Sequence, residues 1–569
     1  MKKINPFNPD HFIGYVCKVS PQLIEIHFPS SGLLKNYQYE GERISGGHVG
    51  EFVIIEDEKN GFLGKINETY ILEKERSELS ETTFQQDDFQ PIGKVELFLS
   101  FNHYQPHSIK KGLSAFPQIG SKVYVAPPSF VQHYVERFGV KKDMQNYPTI
   151  ALGGLMNSPD TKVSVSQQSL FGRHCAIVGT TGGGKSWTVS RLIGEMIKNK
   201  TKAILIDATG EYSKFEESQV TTIKLGEGGK YFHYKKLSVD DLFYLLKPSE
   251  RTQSPKLLEA IRSLKIVKHS GSSTLKAGND EIPIEDGLLK KSGQPIRPYQ
   301  VYYFKNITEL EKNDLDFDIS KLSEQVSQEC IFPTQINNQK LFGGRSENDI
   351  GHCVPMISRI NELVNRSEFN KVFGFNEESP KNCLTANLDN FFKQKEGGVI
   401  RFDFSQVRFE FQIREILANA ISHYLLNHAR FVGFKENPVV LFVDEAHQFI
   451  NKTINDQQYF SRPLEAFDLI AKECRKHGLF LCLATQIPRD IPIGTLSQMG
   501  TFISHRLINH FDKEAIANAC SSANRNSLNY LPILGEGEAL LTGVDFPMPL
   551  LVKVDEPAIK PESDTPKFK

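Results

Sequence analysis

GTTGGGKS at residues 179–186, set between CAIV (175–178) and WTVSRLIGEMI (187–197), is the stretch on which the fold turns. It matches G-x-x-x-x-G-K-[ST], with Gly179, Gly184, Lys185 and Ser186 in the fixed places and Thr180, Thr181, Gly182 and Gly183 between them. Glycines let backbone N–H groups wrap phosphate oxygens, and a following helix aims its positive end at them. Lys185 is then expected to reach the β- and γ-phosphates, and the Ser186 hydroxyl to ligate Mg²⁺. Val189, Leu192, Ile193, Met196 and Ile197 share one stripe of the helix, giving it a face to bury. An apolar strand, this loop and an amphipathic helix together predict a nucleotide-binding unit.

Working outward, AILID (203–207) is a continuous apolar strand of the kind buried on both faces of a parallel sheet. The rhythm returns with GVIRFDF (398–404), a helix around 411–430, VVLFV (439–443), a helix ending near Lys476, and LFLCLA (479–484). Strands alternating with helices imply a doubly wound α/β core. The second half of a phosphate site should be an acid at the end of another buried strand. VVLFVDEAH supplies Asp444, placed to hold a Mg²⁺ shell, and Glu445, placed to orient or deprotonate water. After LFLCLATQ, the Gln486 amide is expected beside the γ-phosphate, where it can report its presence.

In PLEAFDLIAKECRKHG (463–478), Leu464, Phe467, Ala471 and Cys474 make the buried stripe and Gly478 suits the C-terminal cap. Arg475 and Lys476 then project from the last turn. Two readings of Arg475 stand: a complement to the helix dipole, or an arginine finger entering a neighbouring subunit's site. Arg506 in ISHRL is the rival candidate for the finger.

The first 130 residues differ in texture. In QLIEIHF (22–28), Ile24, Ile26 and Phe28 share a face; in VELFLSF (95–101), Val95, Leu97, Leu99 and Phe101 do the same. Such alternation, with turn signals PSSG (29–32) and EKNG (58–61), predicts a small antiparallel barrel or sandwich with a structural or assembly role. The expected organisation is a barrel at 1–130, a linker at 131–165, core at 166–230, a mainly helical insertion at 231–395, core again at 396–550, and a tail at 551–569. The insertion mixes helical patterns with polar turns such as KHSGSSTLKAGND, and the Pro- and charge-rich tail is expected to be flexible or externally docked.

Composition narrows the classes. The chain has 569 residues, enough for several domains, with 39% hydrophobic and 24% charged residues, as in an ordinary globular protein. Its eight cysteines form no CxxC pair, which disfavours a zinc site or disulfide framework and suits a reducing, cytoplasmic setting. The opening MKKINPFNPDHF has no apolar stretch behind its lysines, so no secretory signal is expected there, and no apolar run approaches a membrane span. The net charge of −1 lacks the basic excess of proteins that coat nucleic acid, so DNA contact requires locally placed basic groups. A GTPase is disfavoured because NKTI (451–454) lacks the aspartate of a base-reading NKxD, and an ABC-type ATPase because no LSGGQ-like segment occurs.

DATGEY (207–212) adds specificity. Together with LFGRHCAIVGTTGGGKS, VVLFVDEAH, KECRKHGLFLCLATQIPRDIP and GEGEALLTG (535–543), it resembles the HerA family of hexameric ATPases, relatives of FtsK-like DNA pumps, over about 166–230 and 396–550. The resemblance implies a RecA/ASCE-like P-loop core, with the N-terminal region in the place of the family's small barrel and the insertion where the family has a helical domain. It further implies a six-membered ring, ATP and Mg²⁺ between subunits, and double-stranded DNA in the pore. Residue by residue, it supports Lys185 and Ser186 at phosphate and Mg²⁺, Asp444 and Glu445 as acids, Gln486 as sensor and Arg475 as finger. Asp207 and Glu211 match positions near the nucleotide. Family members act with separately encoded partners: a nuclease in DNA-end processing, or a nuclease or NAD-hydrolysing effector in antiphage defence. One departure stands out. After Glu211 only Lys214 offers a basic pore-facing candidate.

Three functions compete: a DNA-translocating motor serving a nuclease or effector, a ring platform that regulates an effector, and a motor for secretion or conjugation. The lack of a membrane anchor weighs against the membrane-fixed forms of the third.

Overall fold

The alternating residues of the N-terminal region close into a six-stranded antiparallel barrel. In this computed structural model its strands run in the order Phe12–Val19, Ile24–His27, Ile92–Asn102, Asn60–Tyr70, Phe52–Glu56, Lys122–Val125, and the last pairs with the first. Closure leaves no sheet edge exposed. Ile24, Ile26, Phe28 and Val95 belong to the barrel core, as their spacing requires, and Leu97 packs against it. A bulge at Phe98 then shifts the register, so Leu99, paired with Leu63, and Phe101 are buried outside that cluster, and the single face expected of Val95, Leu97, Leu99 and Phe101 is broken there.

The structure describes residues 6–562 except 22, 40–41, 45, 73–88, 104–111, 138–146, 157, 216–219, 227–228, 378–381, 409–411, 451–463, 521–524 and 547. NKTI at 451–454 and the last seven residues of the tail lie outside the described set. The chain divides into two compact units: residues 1–203, 211–215 and 480–569, and residues 204–210 and 216–479.

Beyond the barrel, the first unit carries a run of strands in the order Ser158–Ser166, Thr149–Leu155, Leu550–Val554, Glu538–Gly543, Thr501–Ser504, Cys175–Val178, Leu479–Thr485. Cys175–Val178 pairs in parallel with both of its neighbours, and the remaining pairs are antiparallel. Residues 131–165 are therefore no linker: they hold most of the helix Pro128–Arg137 and nearly all of two sheet strands. The sheet also extends past 550 through Leu550–Val554. These additions read poorly in sequence because TIALGGL (149–155) is glycine-containing and weakly patterned.

The second unit orders Val439–Val443, Lys202–Asp207, Gly398–Asp403 and Val220–Lys224 side by side, the last two in parallel. VVLFV is buried at every position, as expected of a strand covered on both faces. The long helix Ile413–Phe431 buries Ile416, Leu417, Ile421, Leu425 and Leu426. The insertion is mainly helical, with Gln253–Ser270 and Glu347–Asn365 its longest members. It also contains a small sheet of Thr274–Ala277, Asp280–Glu285 and Leu288–Leu289. Thr274–Ala277 lies within KHSGSSTLKAGND, which reads as a polar turn; Leu275 and Ile282 pack with Ile266, Leu289 and Leu310, and that packing decides the strand. Architecture of this kind, an α/β core with an N-terminal barrel and a helical insertion, is what the sequence predicts.

Candidate nucleotide-binding site

In the first unit the glycine loop connects the strand Cys175–Val178 to the helix Lys185–Lys198. Gly182 and Gly184 take φ of +75° and +104°, the left-handed region where a side chain is strained. A Cβ on Gly184 would lie 2.8 Å from Cα of Gly537, and one on Gly179 would lie 2.6 Å from Cβ of His505. The loop is thus tightly supported from behind while Thr181 and Gly182 remain exposed in front. Lys185 is buried and Ser186 half-buried at the start of the helix. Such curvature ahead of a helix N-terminus suits phosphate oxygens, so the donor set fits a nucleotide triphosphate.

Gln486 follows the strand Leu479–Thr485, and its side-chain oxygen accepts a 2.5 Å hydrogen bond from the Thr181 hydroxyl. The predicted sensor and the P-loop therefore meet. Arg506 also lies beside the loop: its carbonyl accepts from the Thr180 N–H at 3.0 Å and from the Thr180 hydroxyl at 3.1 Å. Arg506 therefore braces its own chain's P-loop through its backbone, and the residue is exposed.

His505 has no counterpart in the sequence reading. It is fully buried, with Nδ1 2.9 Å from the Glu538 carbonyl and Nε2 2.8 Å from the Thr188 hydroxyl. A carbonyl only accepts, so Nδ1 carries the proton and Nε2 accepts from Thr188. Burial, with Lys185 adding repulsion, lowers its pKa to about 4 and keeps the ring neutral. The Gly537 N–H meanwhile donates to the Gly183 carbonyl at 3.2 Å. GEGEALLTG is thus the support of the P-loop. The available signal was a polar residue immediately after the apolar strand Thr501–Ser504.

In the second unit Asp444 directly follows the strand Val439–Val443, its N–H donating to the Ile206 carbonyl at 3.0 Å, so Asp444 stands beside the strand end that Asp207 forms. Both are buried. Glu445 is buried in left-handed backbone at φ +45°, a conformation that costs a non-glycine residue about 1 kcal/mol or more. His447 Nδ1 stands 3.3 Å from its carboxylate. Asp207 is committed differently. Its carboxylate accepts from Arg401 Nε at 2.7 Å and from the Gly210 N–H at 2.8 Å, while Arg401 also binds Asp403 at 3.0 Å. Arg414 donates to the Ala208 carbonyl. The DATG turn is therefore shaped from beneath by two buried arginines that its own sequence does not announce.

Leu464, Phe467, Ala471 and Cys474 are buried, and Gly478 caps the turn at φ +81°. The α-helix stops at Glu473, and Arg475 sits exposed in the following 3₁₀ turn, Cys474–His477. Glu211 belongs to the first unit, where its carbonyl accepts from the Glu562 N–H at 2.7 Å.

A glycine loop of this geometry on a parallel strand of an α/β core defines a P-loop ATPase. The family model "Helicase HerA, central domain" matches residues 150–342 and "Helicase HerA-like C-terminal" matches 424–563, and the chain belongs to the HerA family. The matched regions are wider than the motifs suggest and take in the two strands before the P-loop. A probable helicase of Methanocaldococcus jannaschii is 24% identical over 421 residues, 71% of this chain and 70% of the relative. The probable DNA double-strand break repair helicase HerA of the same organism is 26% identical over 425 residues, 71% and 76% of the two chains. Among solved structures, VirB4 of Thermoanaerobacter pseudethanolicus is 14% identical with a TM-score of 0.46, covering 73% of this chain and 98% of that one. No helix among the described residues is long and apolar enough to cross a membrane.

Proposed function

We propose that this ATPase is a motor that moves along double-stranded DNA as a hexameric ring, serving a separately encoded nuclease or effector in DNA-end processing or antiphage defence. The observation that carries the reading is the supported P-loop with Gln486 held on Thr181 in a chain of the HerA family. In it Lys185 binds the β- and γ-phosphates, Ser186 and Asp444 hold Mg²⁺, Glu445 activates water, and Gln486 reports the γ-phosphate. Arg475, exposed in the 3₁₀ turn after its helix, completes a neighbour's site. Relatives named as DNA double-strand break repair helicases support the DNA substrate. The test is ATP turnover with and without linear duplexes of increasing length, alongside displacement of a third strand from a triplex. Turnover indifferent to duplex, with no displacement, removes the motor reading.

A second reading is a ring platform whose ATP turnover regulates a bound effector. It is favoured by one observation: Lys214, the basic pore-facing candidate, pairs with Glu562 at 3.5 Å in a chain of net charge −1. Duplex-independent turnover that responds to the partner protein selects this reading.

A further inference from the structure

The segment after the last strand, DEPAIKPE (555–562), reads as a flexible or externally docked tail, and it is tied to the rest of the first unit from Asp555 to Glu562. The Asp555 N–H donates to the Leu152 carbonyl at 3.0 Å, and its carboxylate takes Lys162 at 3.2 Å. The Ile559 carbonyl accepts a 2.5 Å hydrogen bond from Ser190, a buried residue of the P-loop helix. The Lys560 ammonium stands 5.7 Å from the centre of the Trp187 ring. At the far end Glu562 binds the Glu211 carbonyl through its N–H, the Ser213 hydroxyl at 2.8 Å and Lys214 at 3.5 Å. Pro557 and Pro561 are buried and frame the crossing, and their fixed φ lowers the entropy lost in ordering it.

This strap crosses the first turn of the helix whose N-terminus receives phosphate, and it does so over Trp187, the residue next to Ser186. A nucleotide anchored there must send its ribose and base out along one flank of that turn. Thr181 is tied to Gln486, Thr180 to Arg506, and Thr188 is turned inward onto His505. The flank left is that of Trp187 and Ser190, where the half-buried indole offers an apolar, stacking face to a flat heterocycle. We propose that Trp187 and residues 557–561 form the base-binding wall of the nucleotide site, with the adenine ring packed against the Trp187 indole beneath the strap. The inference rests on the P-loop as the phosphate site.

Trp187 is the only tryptophan in the chain, so its emission reports on this wall alone. Mg²⁺ with ATP and Mg²⁺ with inorganic tripolyphosphate are titrated separately into the full chain, with binding followed in parallel by calorimetry. Both ligands are expected to bind, and ATP alone to change Trp187 emission markedly. Ending the chain after Val554 should weaken ATP about tenfold or more and leave tripolyphosphate affinity within about twofold, the size expected of a lost base-stacking surface. The double variant Ser190→Ala, Glu562→Ala releases the strap in a full-length chain and should shift ATP in the same direction, with circular dichroism checking the fold. Equal emission changes with both ligands, or ATP affinity unaffected by releasing the strap, overturn the base wall. Failure of both ligands to bind the intact chain overturns the phosphate site itself, and the wall with it.

Discussion

The imidazole of His505 accepts a 2.8 Å hydrogen bond from the hydroxyl of Thr188, joining the residue after one parallel strand to the first turn of the helix that follows another. Through its other nitrogen the same ring donates to the carbonyl of Glu538. One neutral side chain therefore braces the glycine loop against GEGEALLTG, and four testable consequences follow from this and the neighbouring geometry.

The folded chain protonates His505 only near pH 4, whereas the ordinary value is 6.5. The unfolded chain thus binds the proton first as pH falls. The stability attached to the neutral ring is full above about pH 6.5 and is lost progressively toward pH 4. Urea unfolding at pH 7 and pH 5 should differ by about 2 kcal/mol more in the native chain than in His505→Asn, which cannot titrate there. An equal pH response in the two proteins contradicts a buried neutral imidazole.

Lys185→Ala should abolish tight ATP binding, while Glu445→Gln should bind ATP and barely turn it over. Lys185 meets phosphate in the ground state; Glu445 acts on water in the transition state. Equilibrium binding and turnover measured on both variants separate the roles, and equal loss of binding in the two removes the distinction.

Arg401 stands between Asp207 and Asp403 with all three buried. Arg401→Met leaves two carboxylates without their cation and should cost about 3–5 kcal/mol of stability in urea unfolding. Asp207→Asn retains the hydrogen-bonding shape and should cost less. If Arg401→Met unfolds like the native chain, the arginine does not hold the DATG turn.

Arg475→Ala should keep ATP binding and ring assembly but lose most hydrolysis. Mixing it with Glu445→Gln subunits should restore part of the turnover, because a mixed interface pairs an intact Glu445 with an intact Arg475. A residue that only complements its helix dipole behaves otherwise, losing about 0.3–1 kcal/mol of stability with near-normal hydrolysis. Titrating the subunit ratio, with subunit exchange shown independently, distinguishes the two. Transfer of the defect to Arg506→Ala instead moves the finger to the arginine beside the P-loop.

Much of the candidate site was legible because it is written in consecutive residues. Wrapping a phosphate needs glycines, a lysine and a hydroxyl within eight positions, and an acid must end a buried strand, so GTTGGGKS and VVLFVDEAH carry their reading locally. The barrel was legible for a similar reason, since period-two burial at Ile24, Ile26 and Phe28 repeats in neighbouring strands. Other partners are far apart in the chain. His505 and Thr188 are separated by 317 positions, and Arg401 and Asp207 by 194.

No periodicity marks such pairs. They arise because Cys175–Val178 lies between Leu479–Thr485 and Thr501–Ser504, strands that follow it by some 300 residues, and because Gly398–Asp403 lies beside Lys202–Asp207. Strand order is chosen by burial of whole faces, summed over the sheet, and only then are the side chains at strand ends brought within hydrogen-bond reach. The same holds for 555–562. Its prolines and charges predict a flexible or externally docked end, and the docking is decided by Ser190, Trp187 and Glu211, which the fold gathers along its path. Sequence alone determined that this chain binds nucleotide on a P-loop in an α/β core behind a barrel. Tertiary structure decided what braces that loop and what docks on the helix behind it, because those contacts depend on neighbours the chain meets only once folded.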